Sequence, residues 1–249
     1  IISTYTNIMY PYGMYIYYYF NSPSYYGSGS SLIANNEIIL YTISSYYGIY
    51  LYNPYSNVEL LHNSIYMYGT GSAYALYTYN SSTSYQPVFK NNIFTTAAAT
   101  TAYPIYYNGN YSSSYYTTDY NNYYSSGNYV GYAGSALTSL LALQGATGQD
   151  ANSISENPNF IDPTVDLHTS GISMLIDPIS ALPYDKNGLA RVPVTNMGCY
   201  HDFEPEDNDA KMVQIVSPGS SVSIGVSTPI TVKIMNFGVN NLDSVTFNW

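Results

Sequence analysis

At 249 residues the chain is long enough for one large or two ordinary domains around a sizeable core. Only 8% of the residues are charged, and five Lys plus Arg against fifteen Asp plus Glu give a formal net charge of −10, which argues against nucleic acid and anionic membranes as partners. The single cysteine, Cys199, excludes an intrachain disulfide, and no apolar run approaches the roughly 18–20 residues of a membrane span.

The first element is the phrase YGMYIY at 12–17, which returns as YGIYLY at 47–52, YALYTY at 74–79 and YPIYYN at 103–108. The initial tyrosines are 35, 27 and 29 residues apart. The long first interval holds NSPSYYGSGSS at 21–31, a Pro, Gly and Ser stretch that reads as a loop. If Tyr12 keeps register with this phrase, Asn7 does not keep register with the asparagines of the second repeated phrase. The chain starts at Ile1 without the regions of a signal peptide, so it reads as a processed form or a window of something longer.

A second phrase alternates with the first: ANNEII at 34–39, LHNSIY at 61–66, FKNNIF at 89–94 and DYNNYY at 119–124. Aligned on Asn36, Asn63, Asn91 and Asn121, it repeats every 27, 28 and 30 residues. A repeat of this length marks a solenoid, because one unit cannot bury its own apolar face. Tyr, Ile, Thr, Asn, Ser and Gly favour strands and turns, and the apolar period within each phrase is two. The expectation is a parallel β-helix whose four aligned asparagines form a ladder at a turn. Ile38, Ile65, Ile93 and Tyr123 would stack inside on one strand, and Met14, Ile49, Leu76 and Ile105 on another. Two tyrosine columns would then face outward: Tyr15, Tyr50, Tyr77 and Tyr106, and Tyr17, Tyr52 and Tyr79.

From 135 the pattern changes. SALTSLLALQG predicts a short helix over about 135–144, with Ser135 as N-cap and Gly145 just past its end. Residues 154–205 are turn-rich and contain ATGQDANSISENPNFID (146–162, overlapping their start), MLIDP (174–178), DKNGLAR (185–191) and NMGCYH (196–201). Together with KNNIF at 90–94, these motifs resemble right-handed parallel β-helix repeat proteins secreted by bacteria. The match to that family's Asp-x-x-Gly-x-x-Arg element and closing phrase keeps Asp185, Gly188, Arg191, Gly198, Cys199 and Tyr200. It departs from the family at Asn196, Met197 and His201. The resemblance covers roughly residues 30–205 and implies a right-handed helix and secretion, but no single activity; the β-helix domain is expected over 1–205. An acidic linker follows at 206–210. The alternating strands of 211–249 resemble the opening of an Ig-like sandwich. The fold class expected is therefore all-β, a right-handed parallel β-helix with a partial Ig-like domain. That fragment would be completed by further chain or by strand donation from a second copy.

Candidate chemistry is sparse. Between residues 30 and 133 the only acids are Glu37, Glu59 and Asp119 and the only base is Lys90, and on the asparagine alignment they share no column. A paired-carboxylate site is not expected there. His62, His168 and His201 are scattered, and with one cysteine they do not make a zinc set. DKNGL at 185–189 reads as an Asx turn rather than a calcium loop. No cofactor, metal or catalytic residue is expected. The reading is a structural or adhesive element of an extracellular cell-surface protein or filament. Its tyrosine face would serve adhesion, sugar stacking or subunit packing, or merely stiffen the sheet, and the partners expected are further copies, by self-association or head-to-tail assembly, or surface glycans. The alternative is a carbohydrate-binding or carbohydrate-active β-helix.

Overall fold

The structure is a computed structural model. It describes residues 2–3, 12–17, 31–52, 58–79, 83–98, 101–169, 174–192, 194–202, 208, 210–218, 227–236 and 240–246. Asn7, nearly all of the 21–31 loop and most of the 206–210 linker lie outside them.

After β1 (Ile2–Ser3) and β2 (Tyr12–Tyr17) a three-strand unit repeats. It runs as β3 (Ser31–Ala34), β4 (Glu37–Thr42) and β5 (Ser45–Tyr52), then β6 (Val58–Leu61), β7 (Ser64–Gly69) and β8 (Ser72–Tyr79). It continues as β9 (Val88–Lys90), β10 (Ile93–Ala98) and β11 (Ala102–Asn108), then β12 (Thr117–Asp119), β13 (Asn122–Ser125) and β14 (Gly131–Ala133). Equivalent strands pair in parallel, giving three sheets: β1-β4-β7-β10-β13, β2-β5-β8-β11-β14 and β3-β6-β9-β12. This is a β-solenoid, as the repeat predicts. Its interior is a column-by-column core. Ile49 stacks on Leu76 and Leu76 on Ile105, with Met14 at the start of the same column. Ile49, Leu76 and Ile105 are fully buried.

The other predicted inner column needs a correction. The partners of Ile38 and Ile65 are Phe94 and Tyr123, not Ile93. The true register sets Ile93 against Ser64 and Asn122, one position earlier. FKNNIF offers two adjacent asparagines, and aligning on the first slips the strand by one residue, which turns every side chain to the opposite face. The same slip hid a pairing, since Lys90 and Asp119 are register partners and do share a column.

The last coil is closed by a short antiparallel β15 (Ala136–Leu137) and a helix, α1 (Leu140–Thr147). The predicted helix begins later than expected. Ala136 and Leu137 pair with Tyr132 and Gly131 instead, and Ser139, not Ser135, caps the helix by accepting from the Ala142 amide. Gly148, not Gly145, ends it at φ 70°. Leu143 is buried and reaches into the core over β14, close to Gly131, while Leu141 is exposed. Residues 149–154 add a partial rung, since Ile154 bridges Asn122 in parallel.

The following segment folds back across the outer side of the β4-β7-β10-β13 sheet. It contains β16 (Phe160–Asp162), β17 (Asp166–Thr169), β18 (Leu175–Ile176) and β19 (Thr195–Asn196). Leu167, Cys199 and Tyr200 cover the outward Ile39, and Met174, Ile176 and Met197 cover the outward Ile93. Removing several aliphatic side chains from water at about 25 cal/mol per Å² is what holds this strap down.

The chain separates into two compact units, Ile1–Asp202 and Phe203–Trp249. In the second, β20 (Ala210–Ser217) pairs antiparallel with β21 (Thr231–Asn236), and the described residues show this two-stranded sheet without an opposing one. Met212, Ile215, Ile230 and Ile234 are exposed on it. The expected strand at 221–226 and Phe247 lie outside the described residues.

Candidate functional site

The turn between β6 and β7, and its equivalents in the other coils, carries the asparagine ladder. Asn63 Oδ1 accepts from the Asn36 amide and its Nδ2 at 3.1 and 2.8 Å. Asn92 Oδ1 accepts likewise from Asn63, both at 2.9 Å, and Asn121 Oδ1 from Asn92 at 3.0 and 2.9 Å. Each Nδ2 also reaches back to a carbonyl: Asn63 to Ile33, Asn92 to Leu60 and Asn121 to Phe89. Asn36, Asn63 and Asn121 thus sit in one column, and its third member is Asn92, not Asn91. Asn91 belongs to the preceding column with Asn35, His62 and Tyr120, all at φ between 54° and 59°. Asparagine suits such a left-handed corner, which is why Asn91 was a credible wrong choice.

The tyrosine face is larger than the sequence reading made it. Tyr15, Tyr50, Tyr77 and Tyr106 are register partners, and Tyr132 continues their column. Tyr17, Tyr52 and Tyr79 form the second, which Asn108 continues and ties back through a bond to the Tyr77 hydroxyl. A third column was missed: Tyr12, Tyr47, Tyr74 and Tyr103, with Tyr129 stacked on Tyr103 at 5.2 Å. Strict alternation would point these tyrosines inward with Ile49. Instead Gly48 and Ile49 are consecutive buried residues, a phase break that turns Tyr47 and Tyr50 to the same side. The break is tight, because a Cβ on Gly48 would lie 2.5 Å from the Ala75 carbonyl oxygen. The signal available in the sequence was the Tyr-small-aliphatic-Tyr spacing of three, against a spacing of two later in the phrase.

Within columns most rings stack, and between the first and third they meet edge to face. Tyr50–Tyr77, Tyr77–Tyr106 and Tyr106–Tyr132 have centroids 4.7, 5.0 and 4.3 Å apart with planes within 20°. Tyr47–Tyr77 and Tyr74–Tyr106 lie at 5.1 and 5.3 Å and at 84° and 88°. Both geometries suit the ring quadrupole. The result is a herringbone of half-buried rings, most exposed at Tyr15 and Tyr17 on β2. Burial among neighbours raises the phenol pKa of Tyr50, Tyr74, Tyr77, Tyr103 and Tyr106, so these hydroxyls stay neutral donors and acceptors at ordinary pH.

A second cluster joins residues far apart in sequence. Lys186 Nζ lies 2.6 Å from both Glu37 Oε2 and the Tyr200 hydroxyl, and Glu37 Oε1 accepts from the Leu167 amide. The Tyr200 ring stacks on His168 at 3.6 Å, and His168 Nδ1 contacts Asp166. Burial disfavours the Glu37 charge, but the bonds to Lys186 and the Leu167 amide outweigh it and hold its pKa below the usual range. These groups satisfy one another and clamp the strap to β4. Asp185 Oδ1 accepts from the Asn187 and Leu189 amides, an Asx-type turn, and its Oδ2 from the His201 amide. Arg191 is fully buried and donates to Thr195 Oγ1, Asn35 Oδ1 and the Gly198 carbonyl. The Asp-x-x-Gly-x-x-Arg element therefore works as a lock between strap and solenoid. Burial pushes the Cys199 thiol up to about 12, which leaves it inert.

Among the described residues no group of three or more His, Cys, Asp and Glu is placed to hold a metal ion, and no helix is long and apolar enough to cross a membrane. Glu59 sits on β6 against Leu32 and Val88, on a different sheet from Glu37. Asp119 Oδ1 and Oδ2 accept from Asn152. No protein-family model, curated protein or solved structure matches this chain.

Proposed function

We propose that the chain is a structural or adhesive element of an extracellular surface protein or filament, and that its tyrosine sheet is the contact surface. The observation that carries this is the three-column herringbone. Stiffening a sheet through same-face pairs needs neighbours in contact, but not a ring at nearly every outward position of one face. A rigid field of neutral phenols combines large contact area, a polar tip and little entropy left to lose on contact, a combination suited to packing and adhesion. The resemblance of 146–201 to secreted bacterial right-handed β-helix proteins, and of 211–249 to the start of an Ig-like domain, supports an extracellular setting.

The test is sedimentation velocity plus adsorption to a quartz-crystal sensor, comparing the chain with a Tyr50→Thr, Tyr77→Thr, Tyr106→Thr variant. Threonine keeps strand propensity, so circular dichroism should remain unchanged. The expected outcome is self-association or adsorption by the chain, reduced at least about tenfold in the variant. A chain that neither associates nor adsorbs, or a variant that behaves identically, would refute the reading.

A further inference from the structure

On the strapped sheet, one register position reads Tyr66 on β7, Thr95 on β10 and Tyr124 on β13. The equivalent position on the tyrosine sheet would hold three stacked rings. Here the middle ring is replaced by a threonine, and the strap roofs the gap with Phe160, whose ring meets Tyr66 edge-on at 6.0 Å. The outcome is a cavity of about 310 Å³, floored by Thr95 and Ala97 and lined on the strap side by Asn157, Asn159 and Phe160. Strands two rungs apart stand about 9.5 Å from each other, while a ring in contact on both faces needs about 7–8 Å. Thr95 is only 2% exposed and its Oγ1 is closed off from the cavity, so this small side chain makes the floor without offering a polar group to it.

We propose that this slot binds one ring of a neutral saccharide. Tyr66, Tyr124 and Phe160 offer apolar ring surface for the C–H side of a pyranose, and Ser126 and Asn157 offer polar groups for its hydroxyls. No charged side chain lines the cavity, so uronates, sulfated sugars and amino sugars lack a counter-charge. The volume is at the small end for ligand sites and fits one or two sugar rings. The site lies on a different sheet from the tyrosine herringbone and does not depend on the adhesive reading.

The experiment is saturation-transfer NMR and titration calorimetry on the whole 249-residue chain. The probes are glucose, galactose and mannose, their neutral oligosaccharides, and oligogalacturonate and glucosamine as charged controls. A neutral sugar should bind with millimolar or better affinity. Ser126→Ala, which removes a lining hydroxyl, should weaken it about three- to tenfold, and Thr95→Tyr, which fills the gap, should abolish it. Equal affinity for monosaccharide and oligosaccharide identifies a free sugar as the ligand; much tighter oligosaccharide binding identifies a glycan chain. No binding of any neutral sugar at about 50 mM refutes the slot. So does binding that survives Thr95→Tyr, or that is lost instead in the tyrosine-sheet variant described above.

Discussion

Replacing Asn92 by Ala tests the ladder register directly. Asn92 Oδ1 is the acceptor for the buried Asn63 amide, and its Nδ2 donates to the Leu60 carbonyl and to Asn121 Oδ1. Removing the side chain orphans one buried amide, worth about 1–3 kcal/mol, and deletes three further bonds, the third from Asn63 Nδ2, worth about 1 kcal/mol each. The expected loss is about 4–6 kcal/mol, a large share of a typical domain's stability. Asn91→Ala should cost less, about 2 kcal/mol, from one bond to His62 Nε2 and the strain of alanine in a left-handed corner. The two positions also differ in their response to glycine. Asn91→Gly should recover part of the loss, because the corner is at φ 59°, and Asn92→Gly should recover none. The assay is urea denaturation followed by far-ultraviolet circular dichroism, comparing midpoints at constant slope. Equal or greater damage at Asn91, or rescue by glycine at position 92, would show that the column runs through the other asparagine.

Two further outcomes follow from the strap. His62 is fully buried, donates from Nδ1 to the Gly198 carbonyl and accepts at Nε2 from Asn91, and burial followed by the nearby Arg191 charge depresses its pKa to about 3. Below pH 6.5 the unfolded chain takes up a proton that the folded one refuses. His62 therefore lowers stability as pH falls, by about 2 kcal/mol between pH 7 and pH 5. His62→Asn, which also tolerates the corner, should flatten that part of the pH–stability curve, and an unchanged slope would assign the acid sensitivity elsewhere. Gly198 has φ 86°, and a Cβ there would lie 2.4 Å from Ser64 Oγ and 2.8 Å from Ile93 Cδ1. Gly198→Ala should cost about 2–4 kcal/mol and lower the melting temperature by several degrees, whereas a neutral result would mean that the strap is not seated against β7 and β10.

What the sequence made legible was local, and what it hid was either a tie or a long-range contact. Period-two alternation placed Ile49, Leu76 and Ile105 inside because each coil repeats the same two-faced strand. At FKNNIF the pattern is degenerate. Asn91 and Asn92 both suit a turn, Ile93 and Phe94 both suit a core, and only the partner strand decides between them. The column of Tyr12, Tyr47, Tyr74 and Tyr103 was lost for another reason, a phase break at Gly48–Ile49 that alternation does not contain. The clamp of Glu37, Lys186 and Tyr200 was beyond reach, since Lys186 is 149 residues from Glu37 and nothing in a single sequence says which face a turn-rich segment will cover. The Thr95 slot was visible only as an interruption, a small residue where the adjacent coils carry tyrosine, and the register slip at Asn91 moved that interruption to the wrong face.

The three outer faces of the solenoid solve the same problem in different ways. Every parallel coil exposes alternate residues, and an outward apolar side chain either stays wet or finds cover. On β4, β7 and β10 the outward set includes Ile39 and Ile93, which Leu167, Met174, Ile176, Met197, Cys199 and Tyr200 of the strap cover. On β3, β6, β9 and β12 the outward set includes Glu59, Lys90, Thr117 and Asp119, which water solvates at no cost. On β2, β5, β8, β11 and β14 the outward set among the described residues is mainly tyrosine, large enough to bury itself against its own neighbours and polar enough at the tip to face water. These rings hold one another in place, and on the proposal that this face is a contact surface they would have little side-chain entropy left to lose on contact.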